Sequence, residues 1–188
     1  MFKKTKALLV GAFLFAALFA AGTKAQVSTD VYLTILGGNV TIGTTGSFDF
    51  GSFPVASTDT NVEKQFTGTD YFWVDDMKGA DAGYYTTLQV TDLTGTNGTI
   101  PATNISTKVN SVTTTKINGT DNTNVVVSNS LLNYTPLNSA ITFIKRDNAT
   151  NAGKLGRYAA FPWLQVTIPA YQSVGSYHAT LTYTLIEN

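Results

Sequence analysis

Polar and apolar positions alternate with a period of two over most of the chain, most cleanly in its last stretch, 176–188. Tyr177, Ala179, Leu181, Tyr183 and Leu185 fall on one side, and His178, Thr180, Thr182 and Thr184 on the other. That period predicts a β-strand with one face on a core and one toward water. The same reading predicts strands over 31–36, 84–93, 104–109 and 161–168, and shorter ones over 47–50, 61–67, 71–75 and 140–144. Within 84–93, Tyr84, Thr86, Leu88 and Val90 share one face, and Tyr85, Thr87, Gln89 and Thr91 the other. Gly, Asn, Asp and Pro fill the gaps, as turns require. Asn118-Gly119, inside a Thr- and Asn-rich stretch, predicts a hairpin. Strands at roughly ten-residue intervals, with no amphipathic helix after residue 25, predict an all-β, antiparallel sandwich or barrel. The N-terminal strand is expected to pair far along the sequence.

The first 25 residues break this pattern. Lys3, Lys4 and Lys6 precede an apolar run over 7–21, and Thr23-Lys24-Ala25 offers small residues at the two positions a signal peptidase reads. This predicts a secretory signal peptide over 1–25, cleaved before Gln26. The run is shorter than the roughly 20 residues a spanning helix needs. Residues 26–188 then form one domain of 163 residues, long enough for its own core. Four of the 12 Lys and Arg lie within 1–25, leaving 8 against 12 Asp and Glu, a net charge near −4. That sign argues against nucleic acid as a partner. The chain has no cysteine, so disulfides, a lipid-modified cysteine and thiolate metal sites are excluded together.

Candidate chemistry is sparse. The one histidine, His178, sits on the Thr-bearing face of the last strand, away from any nucleophile pattern. No Gly-x-Ser-x-Gly elbow occurs, and no phosphate loop precedes a helix. The expectation is a protein that is not an enzyme and holds no cofactor. The one candidate metal site is calcium on Asp75, Asp76 and Asp81, which surround a Gly-bearing loop, since calcium takes clustered carboxylates and loop carbonyls. Lys78 lies within that loop. Aromatic residues are the stronger signal. Phe72 and Trp73 are adjacent, so one of them faces each way, and outward rings among Thr and Asn suit glycan stacking or protein contact. Trp73, Tyr84, Tyr85, Trp163 and Tyr183 are the candidate binding residues.

The order of elements carries a resemblance. Phe48-Asp49-Phe50-Gly51 is followed by Trp73-Val74-Asp75-Asp76, then by the run from Gly83 to Leu93, by Ile100-Pro101-Ala102, by Leu164 to Pro169, and by the run from Gly175 to Leu185. Over most of 26–188 this resembles the WxL domain of bacterial surface proteins. The family's two Trp-x-Leu motifs are not kept. Tyr183-Thr184-Leu185 stands at the second, and Tyr84 or Tyr85 with Leu88 at the first. The resemblance implies an immunoglobulin-like, WxL-like sandwich, a secreted, extracellular cell-surface location and non-covalent attachment to cell-wall glycan. The functional expectation is therefore a surface protein associating with envelope glycan or with other surface proteins, in adhesion. The alternative expectation is a structural subunit of an extracellular filament or surface layer. It would self-associate by strand exchange through its N-terminal segment, 26–36.

Overall fold

The computed structural model describes residues 31–44, 47–79, 82–120, 123–147 and 155–188. The expected leader, 1–25, lies outside them. The chain forms two units, Met1–Ile35 and Leu36–Asn188. Of the first, 31–35 are described; they carry no secondary structure, and Val31, Tyr32, Leu33 and Ile35 are each more than 80% exposed.

The second unit is all-β and antiparallel. Its described strands are, in order, β1 (Val40–Thr44), β2 (Thr60–Gln65), β3 (Phe72–Asp76), β4 (Tyr84–Val90), β5 (Leu93–Gly95), β6 (Gly98–Ile100), β7 (Ile105–Lys108), β8 (Thr115–Gly119), β9 (Val125–Val127), β10 (Thr135–Pro136), β11 (Ile141–Arg146), β12 (Gly156–Ala160), β13 (Trp163–Ile168), β14 (Tyr177–His178) and β15 (Leu181–Glu187). Two 3-10 turns, Ala102–Asn104 and Asn129–Leu132, complete it.

Four sheets form, with strand orders β1-β3-β12-β8, β10-β7-β13-β2, β15-β4-β11-β9 and β14-β5-β6. The arrangement is a sandwich with open edges, not a barrel. Pairing is long-range: β2 runs against β13, with Thr60 opposite Ile168. The first strand, β1, instead pairs with β3, one strand removed. Phe161-Pro162 carries the chain from β12 in one sheet to β13 in another, so a single stretch of sequence stitches two layers together.

Alternation becomes burial as period-two packing demands. Phe72 and Val74 of β3, Leu88 and Val90 of β4, and Leu164 and Val166 of β13 enter one core. Phe72 is its aromatic hub, with ring centroids 4.9 Å from Phe66, 5.4 Å from Phe143 and 5.1 Å from Tyr183.

Four expected elements come out differently. Residues 31–36 form no strand. Residues 47–50 form no strand, with Phe48 and Phe50 half-buried against the core. The final strand is broken at Ala179-Thr180, because β14 joins β5 while β15 joins β4. Among the described residues Asn118-Gly119 is not a two-residue turn: both lie within β8, which pairs with β12, while β9 pairs with β11 and the flanking segments meet antiparallel only at Thr113 and Val126. Gly119 does take a positive φ of 87°, but it serves close approach: a Cβ there would stand 2.3 Å from the Leu155 carbonyl oxygen and 2.4 Å from Gly156 Cα.

Candidate functional site

The pleat decides which candidate aromatic rings can meet a ligand. On β3 and β4 the inward positions take Phe72, Val74, Asp76, Tyr84, Thr86, Leu88 and Val90, leaving Trp73, Asp75 and Tyr85 outward. Tyr84 is therefore a core residue, 1% exposed, and its candidacy as a binding residue is corrected on that ground. Burial raises the pKa of its hydroxyl, with the Asp76 charge adding to the effect. Tyr183 is half-buried: its ring packs edge-on against Phe72 and Phe143, and burial raises its pKa too. Tyr85, Trp73 and Trp163 remain half-exposed.

Two outward faces carry the remaining rings. On the first, Trp73 stands opposite Gly43 of β1 and Ala159 of β12. Its ring lies over Gly43, where an added Cβ would be 2.3 Å from Cζ2. The Arg157 guanidinium lies 4.4 Å from the ring centroid, a cation–π distance, and its Nη2 bonds Asp75 Oδ2 at 2.7 Å. Trp73 is thus already engaged by the protein's own cation. Gly43→Ala should lift the ring toward water. In a Trp163→Phe background, where Trp73 is the sole tryptophan, we expect its fluorescence to shift red. An unchanged spectrum would contradict the packing of Trp73 on Gly43.

The second face belongs to β2-β13-β7. Across these strands Gln65, Trp163 and Lys108 share one row, and Glu63, Gln165 and Ser106 the next. Gln165 Nε2 donates to Glu63 Oε1 at 2.8 Å, and Thr167 Oγ1 to Asn61 Oδ1 at 2.7 Å. Lys108 Nζ lies 4.3 Å from the Tyr134 ring centroid and 5.7 Å from that of Trp163. The indole Nε1 of Trp163 is buried, so its contribution is the ring. Lys108 and Tyr134 were not candidates from sequence. The signal that could have found them is strand register, because Lys108 is special only as the cross-strand neighbour of Trp163.

Among the described residues, Asp75 and Asp76 do not converge on one cation site. Asp75 and Asp76 are consecutive in β3 and point to opposite faces. Asp75 meets Arg157 outside, and Asp76 Oδ2 meets Arg146 Nη1 at 2.7 Å inside, both side chains being 0% exposed. Burial raises the Asp76 pKa, with Arg146 pulling the other way. Asp81 lies outside the described residues. Among the described residues no three His, Asp or Glu side chains are placed to hold a metal. His178 is exposed at the end of β14, on the outward side, as the alternation predicts.

In comparisons with protein-family models, characterised proteins and solved structures, nothing matches this chain.

Proposed function

We propose that this chain is an exported, non-enzymatic cell-surface domain that holds envelope glycan without covalent attachment, through the outward face of β2-β13-β7. The observation that supports this is the row of Trp163 and Lys108 beside Tyr134, bordered by Glu63, Gln165 and Ser106. A sugar ring has an apolar C–H face and a rim of hydroxyls. An aromatic face supplies the first contact, and carboxylate, amide, hydroxyl and ammonium groups supply the second. Paired strands hold these groups at fixed spacing, so little ordering entropy is lost on binding.

The test is retention of the purified protein on isolated cell walls. We expect Trp163→Ala to weaken retention about tenfold, equivalent to about 1.4 kcal/mol. Trp73→Ala, on the face already occupied by Arg157, should change it little. Retention no greater than that of an unrelated β-sandwich protein would overturn the proposal.

A further inference from the structure

A cavity of about 1070 Å³ opens in the second unit. Its floor is core: Phe72, Ile105, Leu164 and Val166, each at most 5% exposed, line it. Two stretches of chain, 47–56 and 172–181, wall it. Its mouth is apolar too, with Phe53 44%, Val55 54% and Val174 76% exposed. Interiors normally pack to a density that leaves few voids larger than a water. Sites that enclose a small molecule usually measure roughly 300–1,000 Å³, so this cavity is large enough to hold one.

The chemistry of the lining says what kind of molecule fits. The floor side chains offer only aliphatic and aromatic carbon. Among the described residues that line the cavity, Asp49 is the only Asp, Glu, Lys or Arg. Its Oδ1 already accepts the Gly51 N–H at 2.8 Å. The cation beside the cavity is Lys64. On β2 it follows Val62 by two residues, so both side chains leave the same face. Val62 stands opposite Val166 and Lys64 opposite Leu164, and Val62, Val166 and Leu164 all line the cavity. Lys64 Nζ lies 5.2 Å from the Phe48 ring centroid and donates to the Asp49 carbonyl oxygen, and both of these residues belong to the wall. Among the described residues no carboxylate pairs with it.

An apolar cavity with one ammonium beside it matches a single hydrocarbon chain that ends in a negative charge. It does not match a peptide strand, because an inward lysine on the edge strand β2 keeps such a strand off that edge. We propose that the cavity takes the hydrocarbon chain of a long-chain fatty acid, with its carboxylate at the Lys64 ammonium. Burial of the methylenes supplies the affinity. A charge-assisted hydrogen bond from Nζ fixes which end of the ligand stays at the surface. The lysine stem lies along apolar surface while its head stays in water, which suits it to that place. This inference is independent of the glycan-binding face, because Leu164 and Val166 of β13 turn inward while Trp163 and Gln165 turn out.

The test uses the full chain and titration calorimetry with palmitate below its micelle concentration. We expect saturable binding of one palmitate per chain, with octanoate on the order of a hundredfold weaker because it buries half the methylenes. Lys64→Gln, at an exposed position, should weaken palmitate about tenfold, equivalent to about 1.4 kcal/mol. It should leave hexadecanol, which has the chain without the charge, unchanged. Val55→Asp/Val174→Asp should weaken both ligands, and its fold is spared because both positions are more than half exposed. Ile117→Asp, exposed on β8 and outside the cavity, should weaken neither. Absence of saturable palmitate binding, or binding that Val55→Asp/Val174→Asp leaves intact, would overturn the proposal. A Lys64→Gln chain that holds palmitate as tightly as the natural one would overturn the placing of the carboxylate. Self-association that excludes palmitate would assign the cavity to a second copy of the chain and overturn the proposal too.

Discussion

Replacing Arg146 with methionine should cost about 3–5 kcal/mol of folding stability, the range for breaking a buried ion pair from one side. Asp76 and Arg146 are both fully buried, with Nη1 and Oδ2 2.7 Å apart. The pair also fastens its surroundings. Arg146 Nη2 donates to the Ala82 carbonyl oxygen, Asp76 Oδ1 accepts the Lys78 backbone N–H, and the guanidinium lies 5.2 Å from the Tyr84 ring centroid. Because Asp76 is on β3 and Arg146 on β11, the pair joins two different sheets and both ends of the 77–83 loop. Arg146→Met leaves the Asp76 charge in the core with nothing opposite it. The double variant Asp76→Leu/Arg146→Met removes both charges and should regain most of the loss, since an apolar replacement of a buried pair is often neutral. Urea unfolding of the two variants measures this. A double variant as unstable as the single one would overturn the account.

The pH dependence of the single variant follows. Burial already holds the Asp76 pKa above the usual carboxylate value, with Arg146 opposing. Without Arg146 that opposition is gone and the folded-state pKa climbs further. A carboxyl whose folded pKa exceeds its unfolded pKa binds a proton more tightly when folded, so stability falls as pH rises through that window. Acidification should therefore narrow the gap between Arg146→Met and the double variant. A gap that widens instead would show that Asp76 is not the group responsible.

How far the sequence reached depended on whether the deciding partner was local. Alternation assigned Tyr84, Thr86, Leu88 and Val90 to one face because the pleat alone settles that. It could not say that this face is the inner one for Tyr84, which would have removed Tyr84 from the binding candidates. The Asp75–Asp76 pair shows the same limit. Neighbours in sequence looked like one acidic cluster, yet the pleat sends them to different arginines, 82 and 70 residues away in the chain. Asn118-Gly119 has the composition of a hairpin, but the backbone of Gly156 presses on Gly119, and no local rule foresees that contact. Residues 31–36 have a strand's pattern and no strand, so propensity alone does not decide an element. The face around Trp163 was legible only in its tryptophan, as Lys108 and Tyr134 arrive through tertiary register.

Thr86→Val should be the second most damaging single change, although it barely alters volume. The pairing of β11 with β4 shifts register between Thr142 and Lys145, an irregularity that interrupts the ladder. Buried backbone groups left over at such a point need other partners. Thr86, 0% exposed, supplies both: its Oγ1 accepts the Ile144 N–H at 2.9 Å and donates to the Ile144 carbonyl oxygen at 2.9 Å. Valine fills the same space and offers neither bond. Two buried backbone groups would lose their partner, at about 1–3 kcal/mol each. Thr86→Ser keeps the hydroxyl and loses only a methyl, at a cost of about 1 kcal/mol. Urea unfolding should therefore rank the natural chain above Thr86→Ser, and Thr86→Ser above Thr86→Val. Amide exchange gives a local reading, because the Ile144 N–H should lose protection in Thr86→Val and keep it in Thr86→Ser. Equal stability of the two variants would mean that the backbone closes the irregularity by itself, and that the hydroxyl at Thr86 is dispensable to the join between β4 and β11.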